Sequence, residues 1–553
     1  MAAPIQTSVI IIGGSIVGLS SALFLAAQKV PFILLERHKG SSPHPRAIGW
    51  TYRSMELFRS VGLEDAIASQ AGAAQGKPRR VKATTLCGEW FEESHWTKQP
   101  GAARGPPPQV DPSTITPVHD VALSQDKLEP ILRAKVLELG GDLRLGHTMT
   151  SWSEDADGVT TTATSPDGTP ITIRSQYLIA CDGARSRIRN DLAIPSSGVG
   201  YLRTLRSILF RCEPINHFLQ RGIHQWTISN PSLDAFLVTY SDSRWALMTN
   251  DAAHDSLTES QQKALIRQAI GESEAQPQPI TDADIEILAH GKWDLAGSIA
   301  TQFSSPGSRV FLAGDAAHTL PPNRGGYGAN TGIADAHNLA WKLAAVLAGR
   351  AGRGLLETYD AERRPVARVR HDQIFVREDY KRFVAGSEWE RGEGKGVEVL
   401  DDVAMELGQL YRSSAVVFEG EGEGGLLPVA KTPADWRGQP GTRAPHVVLV
   451  RAADGETISS LDLFGSEWVL ASEEGRWVSE DQECRFVQVG RDVREVKEGE
   501  FRERFGLGSS GAVLVRPDGY IAARWAEMPE DVQETFRGVI ARVAHRPLTD
   551  AAR

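Results

Sequence analysis

Ser8-Val9-Ile10-Ile11-Ile12-Gly13-Gly14-Ser15-Ile16-Val17-Gly18 is where the chain declares its fold. The β-branched run to Ile12 reads as a strand buried on both faces, as in a parallel sheet. Gly13 and Gly14 break it, and the small-residue stretch from Ile16 to Ala27 reads as a helix. Pro31 to Leu35 is a second buried strand, ending at Glu36. Strand, tight turn, helix and strand make a βαβ unit. The turn follows the G-x-G-x-x-G spacing, whose glycines let the backbone approach a pyrophosphate while the helix N-terminus supplies N–H donors and a positive dipole end. Ser15 stands at the second glycine position; it is small, and its hydroxyl could itself donate to phosphate. Glu36 lies 18 residues beyond Gly18, where an acidic side chain accepts hydrogen bonds from an adenosine ribose. The competing reading is a glycine turn in an ordinary α/β unit.

Around this unit the chain runs to 553 residues, enough for three or four structural units. Hydrophobic residues at 41% and charged residues at 24% are ordinary globular usage and exclude a disordered or collagen-like chain. Lys and Arg number 60 against 70 Asp and Glu, a net charge of −10 that argues against a nucleic-acid partner, since Lys77-Pro78-Arg79-Arg80 is too short for a basic patch. Cys87, Cys181, Cys212 and Cys484 are scattered with no C-x-x-C pair, so neither a disulfide framework nor a metal site is expected. No apolar stretch approaches the roughly 18–20 residues that span a bilayer. The apolar N-terminal run reads as a strand rather than a signal peptide, so a soluble, cytoplasmic protein is expected.

Further along, residues 51–68 and 124–139 read as helices, and 159–173 as a hairpin around Pro166-Asp167-Gly168. Residues 102–117, rich in proline, read as a long surface loop. Between about 190 and 300 alternating stretches such as Ala235 to Tyr240 and Trp245 to Thr249 predict a mixed or antiparallel sheet, with one helix from Glu259 to Ile270. Val310 to Ala313 returns to a buried strand, followed by a long helix from Thr331 to Leu347. Two Glu/Gly-rich stretches, 386–396 and 419–425, flank a helix expected at about 397–411 and read as linker. In the last unit, strands at 446–450, 467–471 and 485–489 precede a hairpin turned by Pro517-Asp518-Gly519 and a closing helix from about 531 to 543.

A second chemical signal is Gly314-Asp315-Ala316-Ala317-His318, set directly after the strand at 310–313. A carboxylate at the C-terminal end of a parallel strand sits where doubly wound folds bind ligands. The glycine loop Gly325-Gly326-Tyr327-Gly328-Ala329-Asn330 then feeds the long helix, an anion-favouring helix start suited to the negative charge of a reduced flavin at N1 and the C2 carbonyl.

With these motifs the sequence resembles, over about residues 8–375, the single-component (class A) FAD-dependent aromatic hydroxylases typified by para-hydroxybenzoate hydroxylase. Three motifs carry the resemblance: the fingerprint with Glu36, the run Cys181-Asp182-Gly183 to Ser186 and Arg189, and Gly314-Asp315 onward to Asn330. It implies that Gly13, Ser15, Gly18, Glu36 and Arg37 hold the dinucleotide end of FAD, with Arg46 contacting the cofactor. It implies further that Gln125 and Asp315 meet the ribityl chain, and that Asp182 and Gly183 serve both FAD and NAD(P)H. Pro322, Gly325, Gly326, Gly328, Ala329 and Asn330 would form the wall beside the isoalloxazine. The tail, with Arg443 to His446 and Leu514 to Tyr520, resembles the thioredoxin-like domain of phenol hydroxylase and of polyketide and rifampicin monooxygenases. With only Cys484 in it, that unit reads as structural or oligomeric rather than redox-active.

The implied fold is α/β: a Rossmann-type FAD-binding domain (1–190 and 301–385, with an excursion of about 75–120 into the substrate domain), an inserted mixed-sheet substrate domain (191–300), a helix and Glu/Gly-rich linker (386–439), and a thioredoxin-like domain (440–553). The implied activity is a monooxygenase that takes reducing power transiently from NADPH or NADH and hydroxylates a phenolic or polyketide-like aromatic with O2 through a flavin C4a-hydroperoxide. The alternatives are epoxidation or Baeyer–Villiger oxidation by the same flavin chemistry, and a flavin-bearing binding protein. No metal is required, no catalytic base can be assigned, and a homodimer is compatible with the reading. Candidate substrate residues are His224, Trp226, Phe236, Tyr240 and Trp245, each also readable as ordinary packing.

Overall fold

The computed structural model describes residues 3–71, 79–94, 111–272, 278–322, 326–420, 425, 427–477 and 484–547. The opening motif folds as its pattern demands. Ile5–Ile12 is the centre of a seven-stranded sheet, paired in parallel with Phe32–Glu36 on one side and Pro170–Ala180 on the other. Asp142–Leu145 extends the parallel set beyond Phe32–Glu36, and Val310–Leu312 pairs in parallel with the end of Pro170–Ala180. Gly158–Thr164 pairs antiparallel with Pro170–Ala180 around the expected turn at 166–168, and Thr148–Asp155 pairs antiparallel with Gly158–Thr164 to complete the sheet. Val9, Ile10, Ile11, Leu34, Leu178 and Ile179 are fully buried, which accounts for unbroken apolar runs where a half-exposed strand would alternate. Helices Ile16–Ala27 and Tyr327–Leu347 pack on this sheet and on each other. This is a Rossmann-type layer.

A second, eight-stranded sheet stands beside it in the order His318–Thr319, Glu286–Ala300, Ser196–Arg211, Arg244–Thr249, Leu233–Thr239, Ile223–Asn230, Arg79–Ala83, Trp90–Ser94. All its pairings are antiparallel except that of Arg79–Ala83 with Ile223–Asn230, so it is mixed as predicted. Two of its strands are long, 16 and 15 residues. One face is a closed core: Trp226, Ile228, Leu237, Trp245 and Leu247 pack beneath helix Glu259–Ile270. The other face, with Phe236, Val238, Tyr240 and Met248, turns toward the cavity.

The C-terminal unit contains a four-stranded sheet in the order Cys484–Gln488, Trp468–Ser472, Ala512–Val515, Ile521–Trp525, with the first pair parallel and the others antiparallel. Helix Val532–Val543 follows, giving the strand order and directions of a thioredoxin-like sheet. Three strands, Thr457–Ser459, Val448–Arg451 and Val493–Glu495, form a small sheet beside it. No helix among the described residues is long and apolar enough to cross a membrane.

Two expectations change. The helix expected at about 397–411 shrinks to Asp402–Leu407, begun by the Asp401 carboxylate accepting from the Val403 and Ala404 N–H groups and stopped at Gly408, where a Cβ would collide with the Lys431 carbonyl. The first Glu/Gly-rich stretch is no loose tether either: Trp389 is buried against His371 and Phe375 and donates its indole N–H to Asp372 at 3.3 Å. One large aromatic outweighs the composition around it. Residues 102–110 of the proline-rich loop and most of the second Glu/Gly stretch lie outside the described residues.

Candidate functional site

The layers enclose one continuous cavity of about 1800 Å³. A single small ligand usually takes 300–1,000 Å³, so there is room for a dinucleotide and a second molecule. Its walls come from the first turn of the Rossmann layer, the segment at 42–51, the loops at 181–189, 313–322 and 326–329, the open face of the second sheet, and helix Glu378–Val384.

At the dinucleotide end, Gly13 and Gly18 do not line the cavity; they shape it. A Cβ on Gly18 would run into the Gly13 carbonyl oxygen, and one on Gly13 into the Cys181 carbonyl, so the turn closes only without side chains. Glu36 sits behind that turn, accepting from the Gly14 N–H at 2.6 Å and the His38 N–H at 2.7 Å. Ser15 does line the cavity, but its hydroxyl donates to Glu129 at 2.9 Å and accepts from the Gln125 amide at 2.8 Å. Its proton is therefore spent inside the protein, and an anion here meets backbone N–H groups and the helix end rather than the hydroxyl, which corrects the expectation for Ser15. Gln125 also donates to Glu129 at 2.8 Å, locking the three side chains together. Arg37 and Arg46 are exposed at the rim; Arg46 makes no hydrogen bond among the described residues.

Asp182 is held by its Oδ2, which accepts from the N–H groups of Arg187 (2.9 Å) and Ile188 (3.3 Å), while its buried Oδ1, on the cavity wall, has no partner among the described residues. Gly183 follows in the left-handed region at φ +85°. Arg189 ties this loop to the next by donating to Ala316 and Ala184 carbonyls at 2.8 and 2.9 Å. Asp315, Pro322, Gly328 and Ala329 line the cavity, and Gly326, left-handed at φ +61°, caps helix Tyr327–Leu347 there. Gly325 lies outside the described residues. Asn330 is corrected from wall to brace: it is buried, its amide donates to the carbonyls of Gly49 (3.1 Å) and Gly326 (2.7 Å), and its oxygen accepts from the Thr51 N–H and the Ser54 hydroxyl. A close-approach turn, a carboxylate oxygen of Asp182 and an Asp315 carboxylate without partners among the described residues, and a helix N-terminus fit FAD's pyrophosphate, hydroxyls and ring edge.

Of the five substrate candidates, Phe236 and Tyr240 line the cavity. Trp226 and Trp245 do not: alternation sends them to the opposite face, where their rings pack 5.6 Å apart in the closed core. His224 is also off the wall, its neighbour Gln225 taking the cavity position after a register shift between Ile223 and Gln225. Tyr240 donates to the Pro45 carbonyl at 2.9 Å, and burial pushes its phenol well above the ordinary range. Tyr380 does the same toward the Pro322 carbonyl, with the same upward shift from burial. Neither phenol is poised to take a proton.

Four cavity residues carried no sequence signal: His44, Arg203, Trp293 and Tyr380. His44 hydrogen-bonds the Ser207 hydroxyl at 2.7 Å and meets Trp293 edge-on at 5.4 Å; burial lowers its pKa and keeps the imidazole neutral.

Comparison with known proteins agrees with this geometry. Residues 6–373 match the FAD binding domain family, and residues 437–547 match the aromatic-ring hydroxylase C-terminal family. The chain is 36% identical to 4-methyl-5-nitrocatechol 5-monooxygenase of a Burkholderia species, over 97% of this chain and 98% of that one. It is 33% identical to tetracenomycin B2 monooxygenase-dioxygenase of Streptomyces olivaceus, over 98% and 99% of the two chains. Among solved structures, a ternary complex of aklavinone-11 hydroxylase with FAD and aklavinone superposes with a TM-score of 0.81 at 31% identity, covering 99% of this chain and 100% of that one. With its Rossmann turn, flavin-side loops and C-terminal unit all in place, the chain belongs to the FAD-dependent aromatic-ring hydroxylases, a family of flavoprotein monooxygenases.

Proposed function

We propose that this monooxygenase draws its electrons from NADPH or NADH and hydroxylates a phenolic or polyketide-like aromatic in the cytoplasm. The observation that carries the reading is the single cavity whose one side holds the FAD-shaped residues and whose other side is the apolar, aromatic face of the second sheet. FAD bound there supplies O2 activation and oxygen transfer; the protein supplies position, dryness and charge.

The backbone turn at Gly13–Gly18 and the helix start at Ser15 take the pyrophosphate, Glu36 the adenosine ribose, and Asp315 with Gln125 the ribityl hydroxyls. The N-terminus of Tyr327–Leu347 places N–H donors and a positive dipole end beside the ring, favouring its reduced, anionic form. Phe236, Val238, Tyr240 and Met248 give the substrate ring a flat apolar bed and exclude water. Only one dinucleotide fingerprint occurs in the sequence, in keeping with a nicotinamide that visits and leaves.

Anaerobic stopped-flow bleaching of the flavin band by NADPH and by NADH, with and without phenols and hydroxylated polycycles, tests the proposal. An aromatic that accelerates bleaching and returns hydroxylated in air supports it. Absence of bleaching by either nucleotide with every aromatic would reject the nicotinamide-driven reading.

A further inference from the structure

The chain is acidic overall, yet one corner of the cavity wall runs the other way. Arg203, Lys381 and Arg382 all line it. Three other cations on the wall are spent on carboxylates: Arg80 on Asp379 at 3.0 Å, Lys292 on Asp255 at 2.8 Å and Arg185 on Asp294 at 3.2 Å. Arg203 is not. Its guanidinium lies over the Phe383 ring, 4.6 Å from the centroid, and Arg382 covers the same ring at 4.8 Å. Its Nε is buried and finds no acceptor among the described residues. Asp234, also on the wall, favours its charge from a distance without bonding it; Asp379 is committed to Arg80, and Glu390 to the Gly386 N–H.

Burial and the second guanidinium both work against the charge of Arg203. Keeping a half-buried cation without an acceptor is costly, and a ligand oxyanion would reduce that cost through a charge-assisted bond. The corner also belongs to the reacting end. Tyr380, which bonds the carbonyl of Pro322 on the flavin-side wall, lies close enough to Arg203 to act on its charge, and Leu205, Trp293 and Leu295 flank it on the sheet.

We propose that Arg203 is an oxyanion-binding residue of this cavity and that the substrate is an aromatic acid, whose carboxylate pairs with the guanidinium. The inference rests on the function proposed above and sharpens its substrate class.

The test titrates FAD-loaded enzyme with anthraquinone-2-carboxylate and with its methyl ester, reading the perturbation of the flavin absorption band. The wild type is expected to bind the carboxylate at least about tenfold more tightly than the ester. Arg203→Met should erase that preference while leaving the ester's dissociation constant, the flavin content and the melting temperature in place. Arg203→Lys should restore part of it, since a point charge lacks the bidentate fork. Equal binding of acid and ester by the wild type, or a preference that survives in Arg203→Met, overturns the inference and leaves the proposed function standing. Should Arg203→Met keep the preference but weaken NADPH binding, the oxyanion is the reductant's phosphate and the substrate assignment falls. If neither anthraquinone perturbs the flavin, the inference falls, and the stopped-flow test above decides the proposed function separately.

Discussion

At Gly18 a single hydrogen atom decides whether the pyrophosphate turn can close, because any larger side chain meets the Gly13 carbonyl. Gly18→Ala is expected to cost about 3 kcal/mol through overpacking and to yield protein without bound flavin, read from the visible spectrum after purification. Glu36 works differently. Both of its oxygens accept backbone N–H groups, and a glutamine keeps only one acceptor. Glu36→Gln should therefore weaken FAD binding about tenfold, a loss of roughly 1.4 kcal/mol measurable by flavin fluorescence titration. At this scale the sequence was most informative where backbone geometry sets the requirement. It was least informative for Ser15 and Asn330, whose polar atoms could face a ligand or the protein equally well by type. Distant partners, Glu129 for one and the 49–54 segment for the other, settle it.

Helix Tyr327–Leu347 shows how an element turns local residues into a site. Its Asp335 is fully buried, accepting from His318 at 2.6 Å, from the Arg363 guanidinium at 2.7 Å and from the Gly314 N–H at 3.2 Å. Burial alone would raise its carboxyl pKa, and the His318 and Arg363 side chains bonded to it hold it below the usual range. One side chain thus fixes the loop that presents Asp315. Asp335→Asn is expected to destabilise the fold by about 3–5 kcal/mol, because it leaves a buried guanidinium without its counter-charge, and to speed FAD release. Urea unfolding and flavin dissociation kinetics check the two effects. Strand periodicity revealed the second sheet but not which of its faces meets the cavity. Phe236 and Trp245 have the same chemistry, and only the helix Glu259–Ile270 packed on one side made Trp245 core and left Phe236 as wall.

Across the whole molecule, buried ion pairs rivet the C-terminal unit to the flavin layer. Arg516 reaches Glu362 at 2.6 and 2.8 Å, with Lys342 on the same carboxylate at 2.7 Å, and Arg443 binds Glu56. Arg516→Met is expected to cost about 3–5 kcal/mol and to split a single calorimetric transition in two, with the C-terminal unit melting first. His446, at the same junction, adds a pH dependence. Burial, aided by nearby Arg443, pushes its pKa down to about 4, whereas an unfolded histidine titrates near 6.5. The unfolded chain then binds the extra proton first, so stability present above about pH 6.5 is lost as pH falls toward 4. His446→Gln should flatten that decline by on the order of 1 kcal/mol, seen in denaturation midpoints measured at pH 7, 5.5 and 4.5.

The sequence by itself determined the Rossmann turn, the second flavin loop and the βαβ order, because those features depend on residues close in the chain: glycines that a turn requires and apolar runs that a buried strand requires. It also carried the family resemblance, since the motifs are short and contiguous. What only the tertiary structure decided is which polar atoms remain for a ligand and which aromatic face is open. Arg203, His44 and Tyr380 come from separate segments with no local signature, and their exposure to one cavity follows from how two sheets and a helix pack. Burial and pairing are properties of neighbours brought together from far along the chain, and no local pattern encodes them.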